Sequence, residues 1–214
     1  MKLYGFWRSS AAYRVRIAVN LKGIDVEHQY VNLLDGDHQA DAYGAVNPQR
    51  IVPTLVDGDN TISQSQAIIE YLEETRPQPS LLPKDAVGRA RVRAIALAVA
   101  CEVHPLNNLR VRRHLADGMC LDAEAVIAWQ HHWLAEGFGG VEAMLSESSS
   151  TGQFCHGDTP SMADAFLIPQ IFNARVLDAD LSAYPIILRI DKACLNLPTF
   201  ADAAPENQPD APAK

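Results

Sequence analysis

One short run near the start of the chain holds the residue types best suited to chemistry: Phe6-Trp7-Arg8-Ser9-Ser10-Ala11-Ala12-Tyr13-Arg14-Val15-Arg16-Ile17-Ala18. Two hydroxyls and an arginine fall where an apolar strand, residues 1–6, gives way to a helix over residues 11–22. A helix start leaves backbone N–H groups free and carries the positive end of the helix dipole. Hydroxyls, a cation and free N–H groups suit an anion, and a thiolate is one candidate. Read locally, the same residues have a plainer use, Ser9 or Ser10 as a helix cap and Arg8 as a solvated side chain.

Two later motifs also carry a mechanism. Val52-Pro53 opens an apolar strand. Proline there is awkward unless the peptide bond is cis or the strand end is exposed. A cis bond would leave the Val52 backbone outside the sheet, open to an extended peptide ligand. An ordinary strand-entry proline is the alternative that the local sequence favours. Ser161-Met162-Ala163-Asp164 fits a capping box with Asp in the acidic position, read as the structural start of a buried helix, with a catalytic Asp164 as the lesser alternative.

The elements that must position these residues change character along the chain. A strand over 2–6, a helix over 11–22 closed by Gly23 and a strand over 26–31 come first. A polar loop at 35–38 and a weak helix at 40–44 follow. Then come a strand over 52–56, a turn at 57–60, a returning strand over 61–63 and a helix over 66–74. That helix sets Ala67, Ile68, Tyr71 and Leu72 on one face. This order predicts a mixed sheet covered by helices. The proline-rich stretch 76–83 marks a boundary, giving domains at 1–78 and 84–214. Beyond it, 86–116, 122–145, 161–176 and 184–195 all pattern as helix. The tail 205–214, rich in proline and polar residues, reads as loose.

Composition narrows the function classes. The chain has 214 residues, 48% hydrophobic, with a formal net charge of -8. An acidic surface argues against nucleic acid and anionic membranes as partners. Cys101, Cys120, Cys155 and Cys194 are too widely spaced for a metal or dithiol motif. Reduced thiols in the cytoplasm are the expectation, with no metal, no signal-peptide pattern and no membrane span.

The order of elements resembles a glutathione transferase: an α/β thioredoxin-like N-terminal domain, then an all-α C-terminal domain. The resemblance spans nearly the whole chain and rests on the Ser9-Ser10 turn, Val52-Pro53 and Gln64-Ser65. The opening segment is similar to the zeta class, which includes the maleylacetoacetate and maleylpyruvate isomerases. The class pattern usually reads Ser-Ser-Cys, and Ala11 stands here in the cysteine position. Further matches are Ala67-Ile68-Ile69-Glu70-Tyr71-Leu72-Glu73-Glu74, Leu81-Leu82-Pro83 and His104-Pro105-Leu106-Asn107-Asn108-Leu109-Arg110.

The resemblance implies glutathione as cofactor and a cis-enoyl diacid as substrate, with maleylacetoacetate ahead of maleylpyruvate. It implies Ser9, Ser10 and Arg8 as the catalytic group. His38, Val52, Pro53, Gln64 and Ser65 would contact glutathione, Gln64-Ser65 at its γ-glutamyl end. His104 and Asn108 would reach its glycine end or the substrate, although His104 before Pro105 also reads as a kink residue. Arg8, Arg110 and Arg175 would hold substrate anions, with surface salt bridges as the alternative for each. A homodimer is expected from the family. His114, His131 and His132 read as solvated. Two other classes use the same fold: a conjugating or dehalogenating transferase, and a non-catalytic binding protein. The intact hydroxyls count against the second.

Overall fold

The computed structural model describes residues 1–212 and divides into two compact units. One comprises Met1–Leu81 together with the chain from Leu195 onward, and the other is Leu82–Cys194. The second unit therefore ends at Cys194 instead of continuing to the C-terminus, because the last segment packs with the first unit.

The first unit is built on a four-stranded sheet. Its strands are β1 (Lys2–Gly5), β2 (Glu27–Tyr30), β3 (Thr54–Asp57) and β4 (Asn60–Ser63), in the order β2-β1-β3-β4. β1 and β2 run parallel, so the chain must cross over between them. Helix α1 (Ser10–Leu21) makes that crossover. β3 and β4 complete the sheet antiparallel, as a tight hairpin. A short helix α2 (Asp41–Val46) and the longer α3 (Ser65–Thr75) follow β2 and β4. Leu3, Val15, Ile17, Leu55, Ile68, Ile69 and Leu72 are buried in this unit. Burying side chains of this size contributes about 1.5–3 kcal/mol each. On α3 it is Ile69, not Ala67, that joins Ile68 and Leu72 inside; Ala67 is exposed.

The end of α1 is tied to the end of α3 through buried charges. Lys22 Nζ lies 2.7 Å from Glu73 Oε2 and donates to the carbonyls of Arg76 and Pro79. Glu73 also accepts from Ser80 Oγ and from the Leu81 N–H at 3.0 Å. Burial pushes the Glu73 carboxyl up, but the Leu81 N–H, Lys22 and Ser80 outweigh it and hold the carboxyl below its ordinary value of 4.5. A carboxylate with a depressed folded pKa stabilises the fold above its unfolded pKa, and that stabilisation fades as pH falls through the folded pKa. The melting temperature is therefore expected to drop on acidification below about pH 4.5. Glu73→Gln should lose about 1–2 kcal/mol at neutral pH and show a shallower acid limb. Thermal melts of both proteins across that range check this.

The tail differs from the loose segment that its composition suggests. Helix α9 (Pro185–Leu195) leads to a short α10 (Pro198–Ala201) and a 3-10 turn, Pro205–Asn207. Ala203, Ala204 and Pro205 are buried. Gln208 Nε2 donates to the carbonyls of Asp202 and Ala204, and Asp210 accepts from the Trp7 N–H at 2.9 Å. The physical reason is Arg16, which lies buried inside α1 and needs acceptors; its Nε donates to Ala203 O at 2.9 Å. Residues 213–214 of the expected loose tail lie outside the described residues.

In the second unit, the continuous helix expected over 86–116 is broken. α4 (Ala86–Leu97) widens into a π-helical stretch, Ala98–Val103. α5 (His104–Asn107) then stops at Asn108, whose ψ of 164° is extended. α6 (Leu109–Arg113) starts afresh, with the Asn108 side chain accepting from the Val111 N–H at 3.0 Å. A second π turn, His114–Gly118, follows. Pro105 removes one backbone donor, and Asn108 offers a side-chain cap in exchange for continuing. Apolar periodicity does not register either effect. α7 (Ala123–Ser146) buries Leu134, Phe138, Val141 and Leu145 along one face, and α8 (Met162–Val176) is buried along most of its length. No helix among the described residues is long and apolar enough to cross a membrane.

Candidate active site

The Ser9-Ser10 turn has the geometry of a helix start with a hydroxyl to spare. Ser9 is the N-cap of α1, with φ -70° and ψ 114°, and its Oγ accepts from the Ala12 N–H at 3.2 Å. A hydroxyl has one proton and two lone pairs. Capping occupies a lone pair and leaves the O–H free to donate. The plain reading and the chemical one are thus compatible at Ser9. Ser10 is the first residue of α1, where backbone N–H groups have no partner within the helix. Ser9 and Ser10 are half-buried, Arg8 is exposed, and Ala11 is half-buried.

The turn is braced from behind. The Ser9 N–H donates to Phe6 O at 3.0 Å. Arg16 donates to Phe6 O at 3.4 Å and to Trp7 O at 3.0 Å. Burial lowers the Arg16 pKa to about 10, with Tyr13, Asp210 and Tyr30 acting in the opposite sense.

Val52 and Pro53 are buried and joined by a cis peptide bond. β3 begins only at Thr54, so Val52 lies outside the strand pairing. A polar cluster fixes this bend. Tyr43 Oη donates to Ile51 O at 2.6 Å, and Asn47 Nδ2 donates to Ile51 O at 2.8 Å and Thr54 Oγ1 at 3.0 Å. Burial raises the Tyr43 phenol, which stays neutral and able to donate.

Gln64 precedes α3 with φ 73° and ψ 122°. A positive φ at a side-chain-bearing residue is strained backbone, kept only where the surroundings enforce it. Its Nε2 donates to Gln49 Oε1 at 2.9 Å. Ser65 opens α3, is buried, and accepts from Arg14 at 3.3 Å. Arg14 thus ties the helix carrying Ser9-Ser10 to the one carrying Ser65. His38 is buried in the 3-10 turn Asp37–Gln39.

His104, Asn108 and Arg110 lie together in sequence in the second unit, around the Asn108 break. Asn108 spends its side-chain oxygen on the α6 cap, and Arg110 is exposed on that short helix, not on a long one. Arg175 is exposed near the end of α8 and is paired with buried Asp191 at 2.5 Å. Burial raises the Asp191 carboxyl and Arg175 opposes that rise, so the arginine's charge is matched within its own unit. His131 is not simply solvated, since its Nε2 lies 2.7 Å from Leu177 O; His114 and His132 are exposed.

Sequence reasoning quoted Arg14 and Arg16 in the opening motif without giving them a role, and missed Tyr43, Asn47 and Asp210. Only the arginines left a trace in sequence: charged residues two apart within an otherwise apolar helix.

The comparisons with known proteins bear directly on this arrangement. The glutathione S-transferase N-terminal domain model matches residues 3–80, and the C-terminal domain model matches residues 127–195. The maleylpyruvate isomerase of a Ralstonia species is 47% identical, covering 99% of this chain and all of that one. The holo structure of a maleyl pyruvate isomerase, a bacterial zeta-class glutathione S-transferase, superposes with a TM-score of 0.97 at 47% identity, over 99% of this chain and 100% of that chain. This chain belongs to the zeta class of the glutathione transferase family. A maleylacetoacetate isomerase from Methylobacterium extorquens AM1, solved with bound malonate and GSH, is 43% identical with a TM-score of 0.96 over the full length of both chains. In this transferase the first unit is the thioredoxin-like domain, and the second is all-helical. Ala11 marks a departure from the usual motif of the class, and the cap geometry of Ser9 is complete without the cysteine.

Proposed function

We propose that this protein is a glutathione-dependent cis–trans isomerase that converts maleylacetoacetate to fumarylacetoacetate. The observation that carries this reading is the Ser9 hydroxyl, which caps α1 through a lone pair and retains its proton for a thiolate. The donor set fits glutathione, which carries a carboxylate at each end and, once ionised, a thiolate. Spare N–H groups begin α1 and α3, the Val52 backbone stands outside the sheet, and Gln64 and Ser65 stand at the α3 start.

When bound, glutathione supplies a thiol that adds reversibly to the conjugated alkene and leaves after rotation about the new single bond. The chain's own groups make this possible. The Ser9 O–H, Ser10 and the α1 dipole favour the ionised sulfur. Ser65, braced by Arg14, and the α3 N–H groups receive a carboxylate of the peptide. His38, Val52 and Pro53 shape the remaining peptide contacts. Arg8 and Arg110, both exposed, are assigned to the substrate's carboxylates and to the negative charge that develops in the reaction. His104 and Asn108 are assigned to binding. Arg175 is assigned to its ion pair with Asp191, its engaged partner.

Maleylpyruvate is the second reading, favoured by the 47% identity with a maleylpyruvate isomerase. The malonate and GSH held by the Methylobacterium relative support a dicarboxylate beside glutathione in either case. We further assign the protein to the cytoplasm, in keeping with the wide spacing of its four cysteines, and, from the family, to a homodimer.

Each cis diacid, incubated separately with the protein and with or without glutathione, tests the reading by loss of the cis-enol absorbance. Glutathione-dependent turnover with release of free trans isomer is expected, faster for maleylacetoacetate. A product that retains glutathione would replace the isomerase with a conjugating transferase. No turnover of either diacid would discard it.

A further inference from the structure

The C-terminal segment reaches back to the turn that carries Arg8-Ser9-Ser10. The peptide groups on both sides of Trp7 are held. Its N–H donates to Asp210 Oδ2 at 2.9 Å, and its carbonyl accepts from Arg16 at 3.0 Å. Arg16 also grips Phe6 O and, on the tail, Ala203 O. Phe6 O is in turn the acceptor for the Ser9 N–H. A single buried guanidinium therefore joins the front of the turn to the tail, and Asp210 closes the same loop from the other side. The tail is itself fastened by Gln208 to the carbonyls of Asp202 and Ala204, and its α10 carbonyls accept from α1, Thr199 O from Asn20 and Phe200 O from Tyr13. Burial works against the Arg16 charge, and Asp210 is one of the groups that support it.

We propose that residues 198–210 form a strap, and that its Asp210 and the Arg16 of α1 that it engages are positioning residues for the Ser9-Ser10 turn, setting how well that turn ionises the glutathione thiol. This rests on the isomerase reading above. Neither residue is assigned a contact with substrate. A hydrogen bond from Ser9 to a sulfur loses strength with small errors in distance and angle, so a turn freed at Trp7 presents its hydroxyl less well. Removing Asp210 frees the Trp7 N–H and withdraws a counter-charge from Arg16 together.

The test is a pH titration of thiolate absorbance in the full-length protein saturated with glutathione, alongside steady-state kinetics and thermal melts. Asp210→Ala should raise the apparent thiol pKa by about 0.5–1 unit and, at a pH below the wild-type thiol pKa, lower kcat roughly three- to tenfold, the matching change in thiolate fraction. KM for the diacid should stay unchanged. Asp210→Asn keeps an acceptor oxygen and should fall between Ala and wild type. Gln208→Ala loosens the strap at a different point and should shift the thiol in the same direction by less. A wild-type thiol pKa and kcat in both Asp210→Ala and Gln208→Ala, with only a lowered melting temperature, would overturn the strap and leave the isomerase reading standing. A wild-type protein that neither depresses the thiol pKa nor turns over either diacid would overturn both.

Discussion

Ser9→Gly and Ser9→Ala are expected to lose the same share of isomerase activity, roughly ten- to a hundredfold in kcat, while differing in stability. A hydrogen bond to a charged group is worth about 1.5–3 kcal/mol, and each 1.4 kcal/mol is a factor of ten in rate. Both variants remove the only proton that the Ser9 side chain has to give. Their effects on the fold differ because the same oxygen caps α1 through the Ala12 N–H. Alanine in place of a capping serine costs about 1 kcal/mol, whereas glycine costs only a few tenths. Equal loss of turnover with unequal melting temperatures separates the donated proton from the cap. The bound thiol pKa should rise equally in both variants. Activity that follows melting temperature, with an unchanged thiol pKa, would assign Ser9 to the helix alone.

Asp164 is expected to give the largest loss of stability, about 3–5 kcal/mol on replacement by alanine. It is fully buried. Its Oδ1 accepts from the Cys155 N–H, and its Oδ2 from the Ser161 N–H and Ser161 Oγ, all at 2.8 Å. Alanine leaves these donors without an acceptor in a site that water does not reach, where each orphan costs about 1–3 kcal/mol. Asparagine does not repair the site. Whichever oxygen becomes an NH2 group meets a backbone N–H, Cys155 in one orientation and Ser161 in the other. Asn should therefore lose about 2–3 kcal/mol, between wild type and Ala. For a chain of this size the alanine loss corresponds to roughly a ten-degree fall in melting temperature. Turnover per folded molecule should hold below the transition. A melt near that of the wild type for either variant would mean that other groups satisfy those donors.

Much of the first unit was legible from local sequence. The strand–helix–strand and strand–strand–helix order has alternating or helical apolar spacing and turn residues at its ends, and such signals act over a few residues. The Ser9 cap and the Asp164 box were visible for the same reason, since each spans four residues. The breaks at 98–103 and Asn108 were not, because a π-helical stretch and a mid-helix cap leave the apolar period intact while changing which backbone donors are used. The burial of the tail was also out of reach. Its composition is that of a loose segment, and its acceptor role exists only because Arg16, nearly two hundred residues earlier, is buried without enough local carbonyls.

What the sequence by itself determined is the order of elements, the zeta-class motifs and the hydroxyls at the start of α1. Those follow from short-range rules and from residues read in their own neighbourhood. Only the tertiary structure decided how that start is held. It set Ser65 against Arg14, closed the Tyr43–Asn47–Thr54 cluster around the Val52-Pro53 bend, matched Arg175 to Asp191 and brought Asp210 to the Trp7 N–H. The reason is physical. Buried donors and charges take whichever acceptor the folded chain brings within about 3 Å, and that choice depends on distances in space that no spacing along the sequence encodes.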